Sequence, residues 1–132
     1  MNGIVLDASV TLSWCFPDEQ IPVALNVLDR LNAREHALVP AFWSVEVLNS
    51  LLIGEKRGRI SPEQTEAFLS TLRALGPVID SIPAEQVFGP VQALCRAHRL
   101  TPYDALYVEL AMRTQSTLAT LDQPQDAARA MG

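Results

Sequence analysis

The sequence predicts an α/β domain built around a largely parallel sheet. Two observations carry that prediction. Short apolar runs alternate with longer segments of helical periodicity, the order expected when parallel strands are joined by crossover helices. Hydrophobic residues make up 48% of the 132 residues and charged residues 19%, a balance that supports a packed core and disfavours disorder. The length fits one domain, spanning 1–132.

The elements follow in order. Ile4-Val5-Leu6 is an apolar run ending at Asp7 and suits a buried strand. Ser9 to Phe16 reads as a short helix stopped by Pro17. Asp18-Glu19-Gln20 is an acidic lead-in to a second helix, with Pro22 in its first turn and Ala24, Val27, Leu28 and Leu31 on one face. Ala37-Leu38-Val39 before Pro40 is the second strand. Ala41 to about Glu55 is apolar and helical. Ser61 as N-cap and Pro62 at the first helical position open the next helix, which Gly76-Pro77 ends. Val78-Ile79 with Ile82 forms a third strand. Ala84 to His98 is helical with an interruption at Gly89-Pro90. Thr101-Pro102 starts a helix running through Met112. Thr117 to Leu121 is the fourth strand, ending at Asp122, and Pro124 to Ala130 forms a terminal helix.

Composition narrows the function classes. The net charge of −5 argues against nucleic-acid binding through a broad basic face, but not against an enzyme that meets phosphates through bound cations. No apolar run reaches the roughly 18 residues a membrane helix needs, and MNGIVLDASV has no basic leader. A cytoplasmic protein without a membrane partner is expected. Cys15 and Cys95 lack metal-ligand spacing and read as buried free thiols.

Four acids stand out by position. Asp7 and Asp122 follow the first and last strands, and open α/β sheets bind ligands outside the carboxyl ends of their strands. Glu46 interrupts an apolar helix, sharing a narrow polar stripe with Asn49 and Ser50. Asp104 is the third residue of its helix. Each has an ordinary explanation: Asp7 and Asp122 as helix caps, Asp104 as the partner of Thr101 in a capping box, Glu46 as a solvent-face residue. Together they favour one site. Two carboxylates about 4 Å apart repel by about 4 kcal/mol at an effective dielectric near 20, so four in one pocket need protons or cations. An all-oxygen acidic pocket suits Mg²⁺ or Mn²⁺, which also bind phosphate oxygens.

The segments Val5-Leu6-Asp7-Ala8-Ser9-Val10, Val45-Glu46-Val47-Leu48-Asn49, Thr101-Pro102-Tyr103-Asp104-Ala105-Leu106-Tyr107 and Leu118-Ala119-Thr120-Leu121-Asp122 resemble the characteristic blocks of PIN-domain nucleases. Their order and spacing are similar to those of VapC-type toxins. The resemblance implies a three-layer α/β/α domain that hydrolyses RNA phosphodiesters with Mg²⁺ or Mn²⁺. It implies that Asp7, Glu46, Asp104 and Asp122 are the catalytic and metal-binding quartet, with Ser9, Asn49 and Thr120 as polar support. A homodimer and a cognate antitoxin that covers the site are implied as well. The residues after Asp122 depart from the family pattern, and Asp126 reads better as a first-turn helix acid than as a ligand.

Hydrolysis by this route should leave a 5′-phosphate and a 3′-hydroxyl. Lys56, Arg57 and Arg59 are candidate RNA contacts, set against their ordinary role as solvated helix-end cations. His36 and His98 are the only histidines, and neither is placed for metal-free acid–base cleavage. The alternatives are a catalytically idle interaction module on the same fold and a Mg²⁺-dependent phosphoacceptor or phosphatase domain. The latter is disfavoured by Asp7-Ala8-Ser9, where a D-x-D run would be expected. Trp14, Phe16, Phe42, Trp43, Leu51, Leu52 and Ile53 supply apolar surface for either a core or an interface.

Overall fold

The computed structural model describes residues 3–16, 18, 21–33 and 35–121. Its centre is a four-stranded, all-parallel sheet of β1 (Ile4–Leu6), β2 (Ala37–Pro40), β3 (Val78–Asp80) and β4 (Thr117–Ala119), in the order β3-β2-β1-β4. Helices cover the sheet to give a three-layer α/β/α architecture. β1 is central, pairing Ile4 with Ala37 on one side and with Thr117 on the other. Its three side chains are 0–1% exposed, which explains the unbroken apolar run: a parallel strand covered on both faces has no polar side.

The chain steps outward from β1 to β2 to β3, then crosses back to lay β4 on the far side of β1. The order of strands thus reverses between β1 and β4, and the carboxyl ends at such a reversal are where open α/β sheets bind ligands. Asp7 stands at this point, its backbone N–H donating to the Ala119 carbonyl at 3.0 Å.

α1 (Ala8–Cys15) begins directly after Asp7, and Trp14 Nε1 ties it to α2 (Pro22–Asn32) by donating to the Ala24 carbonyl at 2.7 Å. α3 (Trp43–Lys56) packs on α1, with Trp43, Val47, Leu51 and Gly54 buried. A Cβ at Gly54 would lie 3.0 Å from Phe16 Cζ and 3.1 Å from Ile60 Cγ2, so a larger residue there requires the Phe16 ring and Ile60 to give way. α4 (Pro62–Leu75) opens with the expected Ser61 cap, completed as a capping box by Gln64, and ends at Gly76 in the left-handed conformation.

The expected interruption at Gly89-Pro90 is a wide π turn (Val87–Val91) between α5 (Ala84–Gln86) and α6 (Gln92–His98). Pro90, lacking an N–H, cannot close an ordinary helical turn. α7 (Pro102–Thr114) then leads to β4.

Boundaries differ from the sequence reading in three places. β3 stops at Asp80, before Ile82; β4 stops at Ala119; and α3 starts two residues late, because Ala41 and Phe42 form the turn leaving β2. Cys15 and Cys95 form no disulfide with each other and are only half-buried, Cys15 packing at the rim of the core. The expected terminal helix over Pro124–Ala130 lies outside the described residues, as do Glu19 and Gln20 of the acidic lead-in. Among the described residues no helix is long and apolar enough to cross a membrane.

Candidate active site

Asp7 is buried at 5% exposure because its backbone continues the strand that the core surrounds. Its carboxylate is held from two sides. Ser9 Oγ donates to Oδ2 at 3.2 Å, the Ser9 backbone N–H reaches Oδ1 at 3.5 Å, and Thr120 Oγ1 donates to Oδ2. Ser9 Oγ in turn accepts from the Leu121 backbone N–H at 2.9 Å. These bonds join the starts of two chain segments more than 110 residues apart in sequence, and they fix the carboxylate in one rotamer. Asp7 is therefore both the N-cap of α1 and the best-anchored acid of the site; the cap and site readings are compatible.

Glu46 occupies the first turn of α3, half-buried. The Tyr107 hydroxyl donates to its Oε1 at 2.6 Å. Burial raises the Glu46 carboxyl above its ordinary value; the Tyr107 bond opposes that rise, and the charges of Asp7 and Asp104 add to it. Asp104 lies in the first turn of α7, whose cap Thr101 accepts from the Asp104 backbone N–H at 3.2 Å. Burial, then the charge of Asp7, raises its carboxyl too, against a bond from Thr101. Three acids from β1, α3 and α7 thus share one field. This is the situation in which either protons or cations are taken up. Among the described residues, no three acids, histidines or cysteines close around a single ion position. Asp122, the fourth member expected from sequence, lies outside the described residues, as does Asp126.

Of the supporting residues, Ser9 and Thr120 contact Asp7 directly, whereas Asn49 is exposed on α3. Lys56, Arg57 and Arg59 are not brought to the acids. Lys56 lies ten residues beyond Glu46 on the same helix, about 15 Å along its axis. Arg59 is engaged elsewhere, pairing with Asp18 at 2.9 Å and lying over the Phe16 ring at 4.2 Å.

The sequence reading gave Tyr107 and Phe42 no role at the site. Tyr107 is buried at 2% exposure, and Phe42 packs edge-on against both Tyr107 and Tyr103 at 5.3 and 5.4 Å between ring centres. Burial and the bond to Glu46 push the Tyr107 hydroxyl far above its usual value, so it remains a donor. A signal was present: Tyr107 follows Asp104 by three residues, placing both on one face of α7. Also unforeseen is a second polar cluster. Buried Glu109 accepts from Arg113 Nε at 2.8 Å and from Gln86 Nε2 at 2.9 Å, while Arg113 Nη2 reaches Asp80 at 2.6 Å.

Comparison with known proteins agrees with this architecture. A family model described as PIN domain matches residues 4–130. Among solved structures, the chain is similar to that titled crystal structure of PAE2754 from Pyrobaculum aerophilum. The identity is 19% and the TM-score 0.72, over 96% of this chain and 84% of the other. At that identity the likeness concerns the fold. No curated protein matches the sequence.

Proposed function

The chain belongs to the PIN domain family, whose members are generally nucleases, and on that premise we propose that it is a metal-dependent endoribonuclease serving as the toxin of a toxin–antitoxin pair. The observation that carries the catalytic part is the convergence of Asp7, Glu46 and Asp104 in one field at the strand-order reversal. The donor set suits Mg²⁺ or Mn²⁺. It is all oxygen and short of positive charge, and such ions take one or two carboxylates at a time and fill their remaining positions with water and phosphate oxygens. When bound, the ion would polarise the scissile phosphate and make an attacking water acidic.

The chain's own residues do the rest. Asp7, locked by Ser9 and Thr120, supplies a fixed anchor for the ion, with Glu46, Asp104 and Asp122 as the further ligands or the acceptor of the water's proton. Exposed Lys56 and Arg57 offer phosphate contacts away from the acids. The apolar residues left exposed on α3, Val45, Leu48, Leu52 and Ile53, support a homodimer or an antitoxin contact there, while Trp43, Leu51 and Phe16 belong to the core. We place the protein in the cytoplasm.

One observation favours a second reading, a PIN module without turnover: among the described residues no three ligands close on one ion position. A single experiment separates the two. Purified protein is incubated with structured and unstructured RNAs in Mg²⁺, Mn²⁺ or EDTA, beside Asp7→Asn. Metal-dependent cleavage that Asp7→Asn abolishes, with 5′-phosphate products, is expected. Products ending in a 2′,3′-cyclic phosphate refute the mechanism, and metal binding without cleavage of any RNA selects the idle module. The toxin role predicts growth arrest on induced expression of the wild type and not of Asp7→Asn.

A further inference from the structure

Glu46 differs from Asp7 in how it is held. Among the described residues its carboxylate takes one side-chain hydrogen bond, the 2.6 Å contact from Tyr107. Tyr107 in turn has little freedom. Its ring is 2% exposed and sits edge-on to Phe42, the residue that caps α3 and so lies one turn before Glu46. The hydroxyl thus ties α7 to the helix that carries Glu46, and α7 itself carries Asp104 three residues earlier. A buried phenol that packing alone required would be better replaced by phenylalanine, since an unneeded buried hydroxyl costs desolvation.

We propose that Tyr107 is a positioning residue that presents Glu46 to a divalent cation, by occupying Oε1 and leaving Oε2 for the ion. This rests on the metal-dependent nuclease reading and adds to it a fifth side chain that never touches the ion. Groups bonded to metal-binding side chains typically change metal affinity by about 10- to 100-fold when removed. Tyr107→Phe keeps the ring and its contact with Phe42 and deletes only the donor.

The test is titration of Mn²⁺ alone into RNA-free protein, followed by calorimetry or by the loss of the free-ion paramagnetic resonance signal. Wild type, Tyr107→Phe, Glu46→Gln and the double variant are compared. The Mn²⁺ dissociation constant is expected to rise about 10-fold in Tyr107→Phe. In the Glu46→Gln background the same change should have no further effect, because the residue it acts through is already altered. A purely structural role would leave the two effects independent, and that outcome, or an unchanged constant, overturns the proposal. Should Tyr107→Phe fail to fold, Phe42→Leu keeps the hydroxyl but frees the ring; a smaller rise supports the proposal and none overturns it. Failure of the wider reading looks different: wild-type protein would bind no Mn²⁺, and the proposal would fall with it. Binding that Asp7→Asn abolishes and Tyr107→Phe leaves intact overturns the proposal alone.

Discussion

Arg113→Met should cost this protein about 2–3 kcal/mol of stability, far more than a surface ion pair is worth. The guanidinium serves two carboxylates, meeting Glu109 through Nε at 2.8 Å and Nη2 at 3.2 Å, and Asp80 through Nη2 at 2.6 Å and Nη1 at 3.2 Å. The Glu109 side chain is 5% exposed, so removing its partner strands a buried charge that Gln86 alone then solvates. Breaking a fully buried pair costs about 3–5 kcal/mol. Arg113 itself is 38% exposed, and water entering its place lowers the figure to about 2–3 kcal/mol. The assay is urea unfolding at fixed ionic strength, where the midpoint should drop by about 1 M at an unchanged slope near 2 kcal/mol/M. Replacing Glu109 as well, in Arg113→Met with Glu109→Leu, should return most of the loss, because an apolar pair has no charge left to strand. A loss under about 0.5 kcal/mol, or one erased by high salt, would place the pair among ordinary surface bridges and refute the reasoning.

Glu46 and Asp104 carry raised carboxyl values, so the metal-free folded chain holds protons that the unfolded chain has released. Their contribution to stability is full below the ordinary carboxyl range and is lost as pH rises through the raised values. Glu46→Gln should therefore gain stability over wild type as pH rises above the ordinary carboxyl range, read as a growing difference in thermal midpoint; a constant difference counts against the coupling. Thr120→Val removes a buried donor to Asp7 and should cost about 1.5–3 kcal/mol in urea unfolding, with Thr120→Ser retaining most of it. Gly54→Ala drives a methyl into Phe16 and Ile60 and should cost about 1–3 kcal/mol, and a neutral result would show that the ring yields easily. If RNA phosphates meet Lys56 and Arg57, Lys56→Ala with Arg57→Ala should lower the slope of log affinity against log salt by roughly 2, whereas an unchanged slope removes both from the interface.

Much of the architecture was legible because it is written locally. Ile4-Val5-Leu6 announces a doubly covered strand, Ser61-Pro62 a helix start, and Gly76 and Gly89-Pro90 an end and an interruption. Asp7 was legible for the same reason, since a carboxylate immediately after a buried strand has few other places to go. Tyr107 and Phe42 were not, because an aromatic residue in an apolar helix looks like core until the partner across the interface is known. Glu109 and Arg113 have no role in the sequence reading; only the packing of α7 against the π turn shows that Glu109 is buried. Arg59 went the other way, from a free cation in the sequence to a partner of Asp18 and Phe16. What composition and periodicity miss in each case is a contact between residues far apart in the chain.

The bond from the Leu121 N–H to Ser9 Oγ closes a loop of 112 positions, and the pairing of β4 with β1 closes one of about the same length. Such closure is entropically expensive and comes late in folding. A ribosome-bound chain that has not yet extruded β4 has an open edge on its central strand and no lock on Asp7 beyond Ser9. Asp7, Glu46 and Asp104 are then not yet held as they are in the folded domain. If this protein is a nuclease, activity waits on the pairing of β4 with β1, and the growing chain stays idle until then without any inhibitor.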